Sequence, residues 1–293
     1  MLMKFNQKKL NRFQTEYIPK IDAVLSKEIK NSSNENLLVN SMQYSLMAGG
    51  KRLRPLLVLA VLESYGVKIT DELIKISCAV ELLHTYSLIH DDLPEMDNSD
   101  YRRGKLANHK KFGDDIAVLA GDGLLTLAFS WLSDNSLPAS QRIKLVSLLS
   151  NAAGPKGMVE GQVIDVTSAE KTLDLVGLQT LDRKKTGELF HYCILAGSVL
   201  AKVDEADQQS LSEFAWNFGI AFQIYDDILD APTDETQEDI DKNTYVNFLG
   251  MQGAKTKLSE TVENCIKELE KLENAQSIDL LKSFLSYFQF GKG

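Results

Sequence analysis

The chain has 293 residues, 44% of them hydrophobic, and a formal net charge of −9, so it can bury a sizeable core. This acidic balance argues against a nucleic-acid surface, because proteins that neutralise phosphates usually present a basic face. Three cysteines scattered among apolar residues do not indicate a disulfide framework and favour a reducing cytoplasm. The N-terminus carries charge without an apolar run behind it, so we predict no signal peptide.

Six prolines leave long intervals in which helices can continue. Apolar residues recur there at steps of three and four, in two stripes formed by Leu73, Ile76, Val80 and Leu83 and by Phe214, Phe218, Ala221, Tyr225 and Ile228. Helix breaks are predicted near 31–34, 66–70, 134–138, 154–157, 203–206 and 232–243. The pattern predicts an all-α bundle of about ten helices, with residues 1–293 forming one domain and the chemistry in its centre.

The most apolar stretch of the chain covers residues 116–132. It is interrupted by Asp122 and is shorter than a helix needs to cross a bilayer. We therefore predict no transmembrane segment.

Two aspartate clusters each follow an apolar helical run: residues 91–97 read DDLPEMD and residues 226–230 read DDILD. Asp226 and Asp230 lie one turn apart on one helical face, and Gln223 lies one turn earlier. Converging carboxylates repel each other unless cations bind between them, and hard oxygen ligands favour Mg²⁺, which also accepts substrate phosphates. One acidic triplet is often only a solvated helix end. Two such clusters in apolar surroundings favour a metal–diphosphate site.

Cations that could bind a diphosphate lie in two further segments. Residues 49–55 read GGKRLRP and residues 102–104 read RRG. Arginine suits bidentate phosphate contact, and lysine supplies a point charge. His84 shares a helical face with Asp91, at i and i+7. A lone helical histidine is more often structural than functional, but this placement favours a phosphate contact.

Seven segments, in chain order, resemble blocks of the trans-prenyl diphosphate synthases: GGKRLRP, HTYSLIHDDLPEMDNSDYRRG, HKKFG, LAGDGLLTLAF, GQVIDV, KKTGELF and FQIYDDILD. The resemblance is strongest to the bacterial farnesyl diphosphate synthases, covers residues 44–230 and continues weakly beyond. It implies an isoprenoid-synthase-type bundle around a deep central cavity. It also implies a homodimer that condenses isopentenyl diphosphate with dimethylallyl or geranyl diphosphate to give farnesyl diphosphate.

The resemblance also assigns roles to individual residues. It implies three Mg²⁺ ions, with Mn²⁺ as an alternative, bound mainly by Asp91, Asp97 and Asp226 and assisted by Asp92, Asp227 and Asp230. It implies that Arg102 contacts the allylic diphosphate and that isopentenyl diphosphate is held by Lys51, Arg54, His84 and Arg103. It places Lys185, Thr186 and Gln223 near the bond that breaks.

Charge then suggests the mechanism. Metals and cations stabilise the departing diphosphate, the allylic C–O bond ionises, and the isopentenyl double bond attacks the resulting cation. The released diphosphate takes the proton, since no side chain is an obvious base. In this family the pocket floor below the first aspartate motif sets chain length, which implies Tyr86 and Ser87. Spacing alone would turn Tyr86 away from the aspartate face.

One departure from the family pattern follows Asp230. Family members usually carry a lysine in a Gly-Lys pair there, whereas this chain reads APTDETQEDID before Lys242, leaving Lys242 as the expected cap over the allylic substrate. This departure keeps open a non-catalytic prenyl synthase subunit, beside geranyl or geranylgeranyl diphosphate synthesis. A helical HD-type metal phosphohydrolase is a weaker alternative, because it needs a histidine-rich site and the chain has four histidines.

Overall fold

The computed structural model describes residues 5–168, 173–231 and 243–289. In these ranges the backbone is helical apart from short loops and one antiparallel hairpin, in which β1 (Tyr101–Arg102) pairs with β2 (Lys105–Leu106). The predicted all-α fold class is confirmed.

The helices of the described ranges are α1 (Gln7–Lys30), α2 (Asn36–Leu46), α3 (Leu53–Ser64), α4 (Asp71–Asp91), α5 (Asn108–Phe112), α6 (Asp114–Ser133), α7 (Ala139–Ala153), α8 (Met158–Thr167), α9 (Leu175–Asp182), α10 (Glu188–Ala201), α11 (Glu205–Asp230), α12 (Tyr245–Leu269) and α13 (Asp279–Phe284). A π-helical turn (Arg183–Gly187) joins α9 to α10, and a 3₁₀ turn (Leu285–Phe288) follows α13.

Local capping explains where the helices begin. Thr70 accepts a hydrogen bond from the Leu73 backbone N–H at the start of α4, and Asp204 accepts two at the start of α11. The breaks predicted near 31–34, 66–70, 134–138, 154–157 and 203–206 all fall at helix ends. The break predicted near 232–243 lies almost entirely outside the described residues.

The chain divides into two compact units. Unit 1 comprises Met1–Asn11, Ala60–Val67 and Leu148–Gly293, and unit 2 comprises Arg12–Leu59 and Lys68–Ser147. Neither unit is one continuous stretch of sequence. The expectation that residues 1–293 form a single domain stays a prediction.

Unit 2 is built around α4, which is buried on nearly every side between residues 76 and 83. Helix α6 packs along α4 and also contacts α2, with small residues allowing close approach. Gly121 is the clearest case, because a Cβ there would lie 2.0 Å from His90 Nε2. The imidazole occupies that space and makes a 3.1 Å hydrogen bond with the Val118 carbonyl.

Helix α6 runs for 20 residues and is long and apolar enough to cross a membrane by length and composition. The apolar stretch taken from the sequence, residues 116–132, was therefore shorter than the helix. Its contact with α4 and α2 explains the apolar composition without a bilayer, because a core helix needs the same residues.

Unit 1 has an aromatic core between α10, α11 and the 3₁₀ turn. Phe218 lies at its centre, with ring centroids 5.3 Å from Phe190 and 5.0 Å from Phe288. Phe190 also packs on Phe222 at 4.9 Å. These tilted and edge-on pairs hold α11 firmly in place.

A buried carboxylate ties α11 to the segment after α12. Asp207 accepts hydrogen bonds from the Tyr65 hydroxyl at 2.8 Å and from the backbone N–H groups of Glu273 and Asn274 at 3.0 Å each.

We expect Asp207→Asn to lower the free energy of unfolding by about 2 kcal/mol, because an amide group must then face a backbone donor. Urea denaturation measures this. The exposed Glu213→Gln on the same helix is the control, and an equal effect in both variants would contradict the prediction.

Candidate active site

The first aspartate motif begins where α4 ends at Asp91. The chain then folds back, and the Asp97 backbone N–H donates to the Asp91 carbonyl at 2.8 Å. Asp97 is exposed and Asp91 is half-buried. This return places Asp97 beside Asp91, which helical spacing could not decide because Pro94 interrupts the helix.

The second aspartate of this motif contacts the hairpin. Asp92 is buried, and its Oδ1 accepts from Arg102 Nε at 3.0 Å and from Arg102 Nη2 at 2.5 Å. The pair therefore anchors β1 to the end of α4. Both residues were predicted to contact metal or substrate, and here they contact each other.

Positive charge is concentrated around His84. Partial burial, followed by the charges of Arg54, Arg103 and Arg102, lowers the pKa of His84 well below its usual range. The three arginines that contribute to this shift also make the local potential positive. Such a potential favours an anion, and a bound anion would in turn restore basicity to His84.

The loop between α2 and α3 carries the GGKRLRP cations. Lys51 is exposed and Arg54 is half-buried, whereas Arg52 is fully buried. Arg103 Nη1 donates to the Gly49 carbonyl and would collide with a side chain at Gly50. Arg52 and Arg103 both have positive φ, at 48° and 52°, a conformation that costs a non-glycine residue roughly 1–2 kcal/mol.

The second aspartate motif forms the last turn of α11. Asp226 is half-buried and Asp230 is exposed, one turn apart along the helix. Asp227 accepts from Gln223 Nε2 at 3.1 Å and from the Tyr245 backbone N–H at 2.8 Å. Asp227 thus caps the start of α12, where a helix leaves its first amides without intrahelical partners.

A π-helical turn places the predicted Lys185 and Thr186. Gly187 and Gly219 let this turn approach α11 closely, because a Cβ on Gly219 would lie 2.9 Å from the Gly187 Cα. Thr186 Oγ1 consequently reaches Gln223 Oε1 at 3.2 Å. Single π turns of this kind occur frequently at functional sites.

Helix α8 supports the same turn from another side. Lys185 Nζ forms an ion pair with Asp165, and Lys184 Nζ pairs with Glu160 at 2.7 Å. Gly161 allows the contact, since a Cβ there would lie 2.3 Å from the Lys185 backbone nitrogen. Asp165 therefore orients the side chain of Lys185.

The carboxylates fit Mg²⁺ better than a metal enclosed by protein alone. In the described ranges no three His, Cys, Asp or Glu side chains are grouped closely enough to hold a metal ion. Mg²⁺ usually takes one or two carboxylates, keeps waters and fills its shell with substrate phosphates. Asp91 with Asp97, and Asp226 with Asp230, are carboxylate pairs of that type.

Comparison with known proteins identifies the family. The family model described as polyprenyl synthetase matches residues 35–283. The chain belongs to the polyprenyl synthetase family. Within it, the farnesyl diphosphate synthase of Bacillus subtilis is 44% identical over 93% of this chain and 95% of its own.

Two further members extend the comparison. The farnesyl diphosphate synthase of Geobacillus stearothermophilus is 42% identical over 91% of this chain and 93% of its own. The crystal structure of an apo FPP/GFPP synthase from Zymomonas mobilis superposes with a TM-score of 0.86 at 34% identity, covering 96% of this chain and 99% of that one. The predicted resemblance to prenyl diphosphate synthases is confirmed.

Within single units, several predicted site residues of this polyprenyl synthetase family member lie together. Unit 1 joins Thr186, Gln223 and Asp227 in one hydrogen-bonded chain. In unit 2, Ser87 Oγ donates to the His84 carbonyl at 2.9 Å, within α4. Lys242 lies outside the described residues.

Sequence reasoning did not single out Glu81, Asp165 or Asp182. Glu81 stands alone in the apolar run AVELL, and Asp165 lies inside the GQVIDV block. An acid inside an apolar segment is the signal that would have drawn attention to both, because such an acid needs a partner when it is buried, as Glu81 is.

Asp182 is a buried acid beside the second motif. Among the described residues none hydrogen-bonds to its Oδ2, and the carboxyl lies next to the Tyr245 phenol. Burial, reinforced by the charges of Asp227 and Asp165, raises the pKa of Asp182 to about 8. The folded protein therefore holds a proton that the unfolded chain releases near pH 4.

The pH dependence of stability follows from this difference. Between the pKa of Asp182 in the unfolded chain and its folded value of about 8, rising pH lowers the free energy of unfolding. Above the folded pKa this decrease stops. Asp182→Asn removes this titration. We therefore expect the free energy of unfolding of the variant, relative to that of the natural protein, to increase by at least about 1 kcal/mol from pH 5 to pH 8. Urea denaturation in EDTA tests this. Asp134→Asn, at an exposed position, serves as control, and a pH-independent difference for Asp182→Asn would refute it.

Proposed function

We propose that this chain is a farnesyl diphosphate synthase, condensing isopentenyl diphosphate with dimethylallyl and then geranyl diphosphate. The observation that carries the proposal is the combination of two aspartate motifs at the ends of α4 and α11 with the arginine-rich surroundings of His84. Membership of the polyprenyl synthetase family and 44% identity to the Bacillus subtilis farnesyl diphosphate synthase support it.

The chain's own residues have distinct roles in this proposal. Lys51, Arg54, His84 and Arg103 hold isopentenyl diphosphate, while Arg102 and Lys242 contact the allylic diphosphate. Lys185, Thr186 and Gln223 stabilise the charge that develops as the allylic C–O bond ionises. Apolar packing excludes water from the cation, and the released diphosphate accepts the proton after C–C bond formation.

Magnesium is the proposed cofactor, with three ions held by Asp91, Asp92, Asp97, Asp226, Asp227 and Asp230. Bound Mg²⁺ would neutralise negative charge on the departing diphosphate. Since Asp92 and Asp227 already accept hydrogen bonds from protein donors, we propose that these two act through bound water. Mn²⁺ is the alternative ion.

The assembly is proposed to be a homodimer located in the cytoplasm, without a membrane span and without a nucleic-acid partner. Helix α6 leaves Val118 and Leu119 exposed, Leu119 by 55%, and exposed apolar side chains on a long helix favour a partner subunit. The net charge of −9 is consistent with the absence of a nucleic-acid partner.

Incubation of the purified protein with Mg²⁺, isopentenyl diphosphate and dimethylallyl or geranyl diphosphate, followed by product sizing, tests the proposal. A C15 product supports it. A C10 or C20 product would assign geranyl or geranylgeranyl diphosphate synthesis. No product would favour a non-catalytic subunit.

We expect Asp91→Ala or Asp226→Ala to lower turnover at least about a hundredfold, because each removes a ligand of the ions that stabilise the leaving group. Circular dichroism should show that the fold is retained. The control is Asp71→Ala at the opposite, exposed end of α4, which should turn over like the natural protein. Near-normal turnover in folded Asp91→Ala would refute the metal assignment.

Product length tests the role of Tyr86. Its ring is 8% exposed and packs edge-on against His90 at 5.6 Å, so its removal creates space inside unit 2. We expect Tyr86→Ala to shift products beyond C15, as analysed by chromatography, whereas Tyr86→Phe should keep the natural distribution. An unchanged distribution in Tyr86→Ala would exclude Tyr86 as the residue that sets chain length. The adjacent Ser87 would then be the residue to test.

A further inference from the structure

Arg52 is a charged residue buried in the loop that precedes α3. Its side chain is 2% exposed, and its guanidinium donates to Glu81 Oε1 at 2.9 Å, Asp22 Oδ1 at 2.8 Å and the Leu46 carbonyl at 2.8 Å. A buried charge persists only when it is paired and hydrogen-bonded in this way. Although Arg52 belongs to the GGKRLRP segment, its donors point into the protein.

The backbone at this position is held in an uncommon conformation. Gly49, Gly50 and Arg52 all have positive φ, at 99°, 128° and 48°. The first two are glycines, for which such angles are accessible, but Arg52 pays a steric penalty that its surroundings must overcome. The three side-chain hydrogen bonds of Arg52 supply that constraint and fix the loop path between Lys51 and Arg54.

Glu81 connects the loop to the helix that carries His84. Glu81 and His84 are one turn apart on α4, and the Glu81 side chain is 4% exposed. Burial lowers the pKa of Arg103, and the charge of Glu81 opposes that lowering. Arg103 Nη1 donates to the Gly49 carbonyl. The loop and α4 therefore meet at one buried carboxylate, and the hairpin reaches the same loop through Arg103.

We propose that Arg52 and Glu81 are positioning residues, which hold Lys51, Arg54 and His84 in one fixed arrangement for the diphosphate of isopentenyl diphosphate. This inference rests on the proposed function for the identity of that substrate. A buried ion pair contributes little net stability compared with apolar packing, whereas donors fixed before binding lose less entropy when the anion arrives. The pair thus acts on affinity for this one substrate.

Glu81→Gln tests the inference, because it keeps the side-chain volume and removes the charge. We expect the KM for isopentenyl diphosphate to rise by about tenfold, with kcat and the KM for geranyl diphosphate changed less than about twofold. Calorimetric titration with isopentenyl diphosphate should show the same loss of affinity. Asp22→Asn, at a partner that is 36% exposed, should shift KM in the same direction by a smaller factor.

Glu28→Gln is the matched control. Glu28 on α1 pairs with Lys75 on α4 at 2.6 Å. This ion pair joins the helices that carry Asp22 and Glu81, but it does not involve the loop. It should leave both KM values unchanged. Equal rises for both substrates in Glu81→Gln, or an unchanged KM for isopentenyl diphosphate in the folded variants, would overturn the inference. If Glu81→Gln does not fold, Asp22→Asn decides the outcome.

Failure of the proposed function would give a different result. If the natural protein makes no prenyl product, titration with inorganic pyrophosphate still compares the natural protein with Glu81→Gln. Weaker pyrophosphate binding in the variant would then support the positioning role at an anion site. Equal binding would overturn it.

Discussion

Binding a diphosphate to a chain with a net charge of −9 requires positive charge to be concentrated locally. In unit 2 the charges of Arg54, Arg103 and Arg102 act on one imidazole, His84. These arginines make the potential around His84 positive, while Glu81 and Asp92 hold the guanidinium groups of Arg52 and Arg102 in place. The acidic surface and the basic site can coexist because charges interact strongly only over short distances in salt.

Consecutive aspartates in the two motifs have different roles. Neighbouring helical residues point about 100° apart, so the two members of each pair leave the backbone in different directions. Asp92 anchors the hairpin and Asp227 caps α12. This division lets each motif fix its own surroundings while Asp91 and Asp226 are proposed to bind metal.

Backbone irregularities gather at the same places. In the described ranges, the non-glycine residues with positive φ are Arg52, Asn98, Arg103 and Lys202. The first three lie in the cationic loop, directly after the first aspartate motif and in the hairpin. The π turn that carries Lys185 and Thr186 is another departure from regular helix. Such conformations persist where surrounding contacts over-determine them, as the hydrogen bonds of Arg52 do.

The sequence by itself determined the helices, most of their ends and the segments that carry chemistry. Capping residues such as Thr70 and Asp204 and apolar stripes such as the one through Phe214 and Phe218 act over a few residues, so they are visible in a linear pattern. The family followed from motifs of the same local kind, for example DDILD at the end of α11.

Only the tertiary structure decided how those segments are used. Within GGKRLRP the three cations look equivalent, yet Arg52 is buried because Glu81, 29 residues later, lies beside it. Thr186 reaches Gln223 because Gly187 and Gly219 allow two helices to approach. These outcomes depend on contacts between residues far apart in the chain, which local periodicity does not encode.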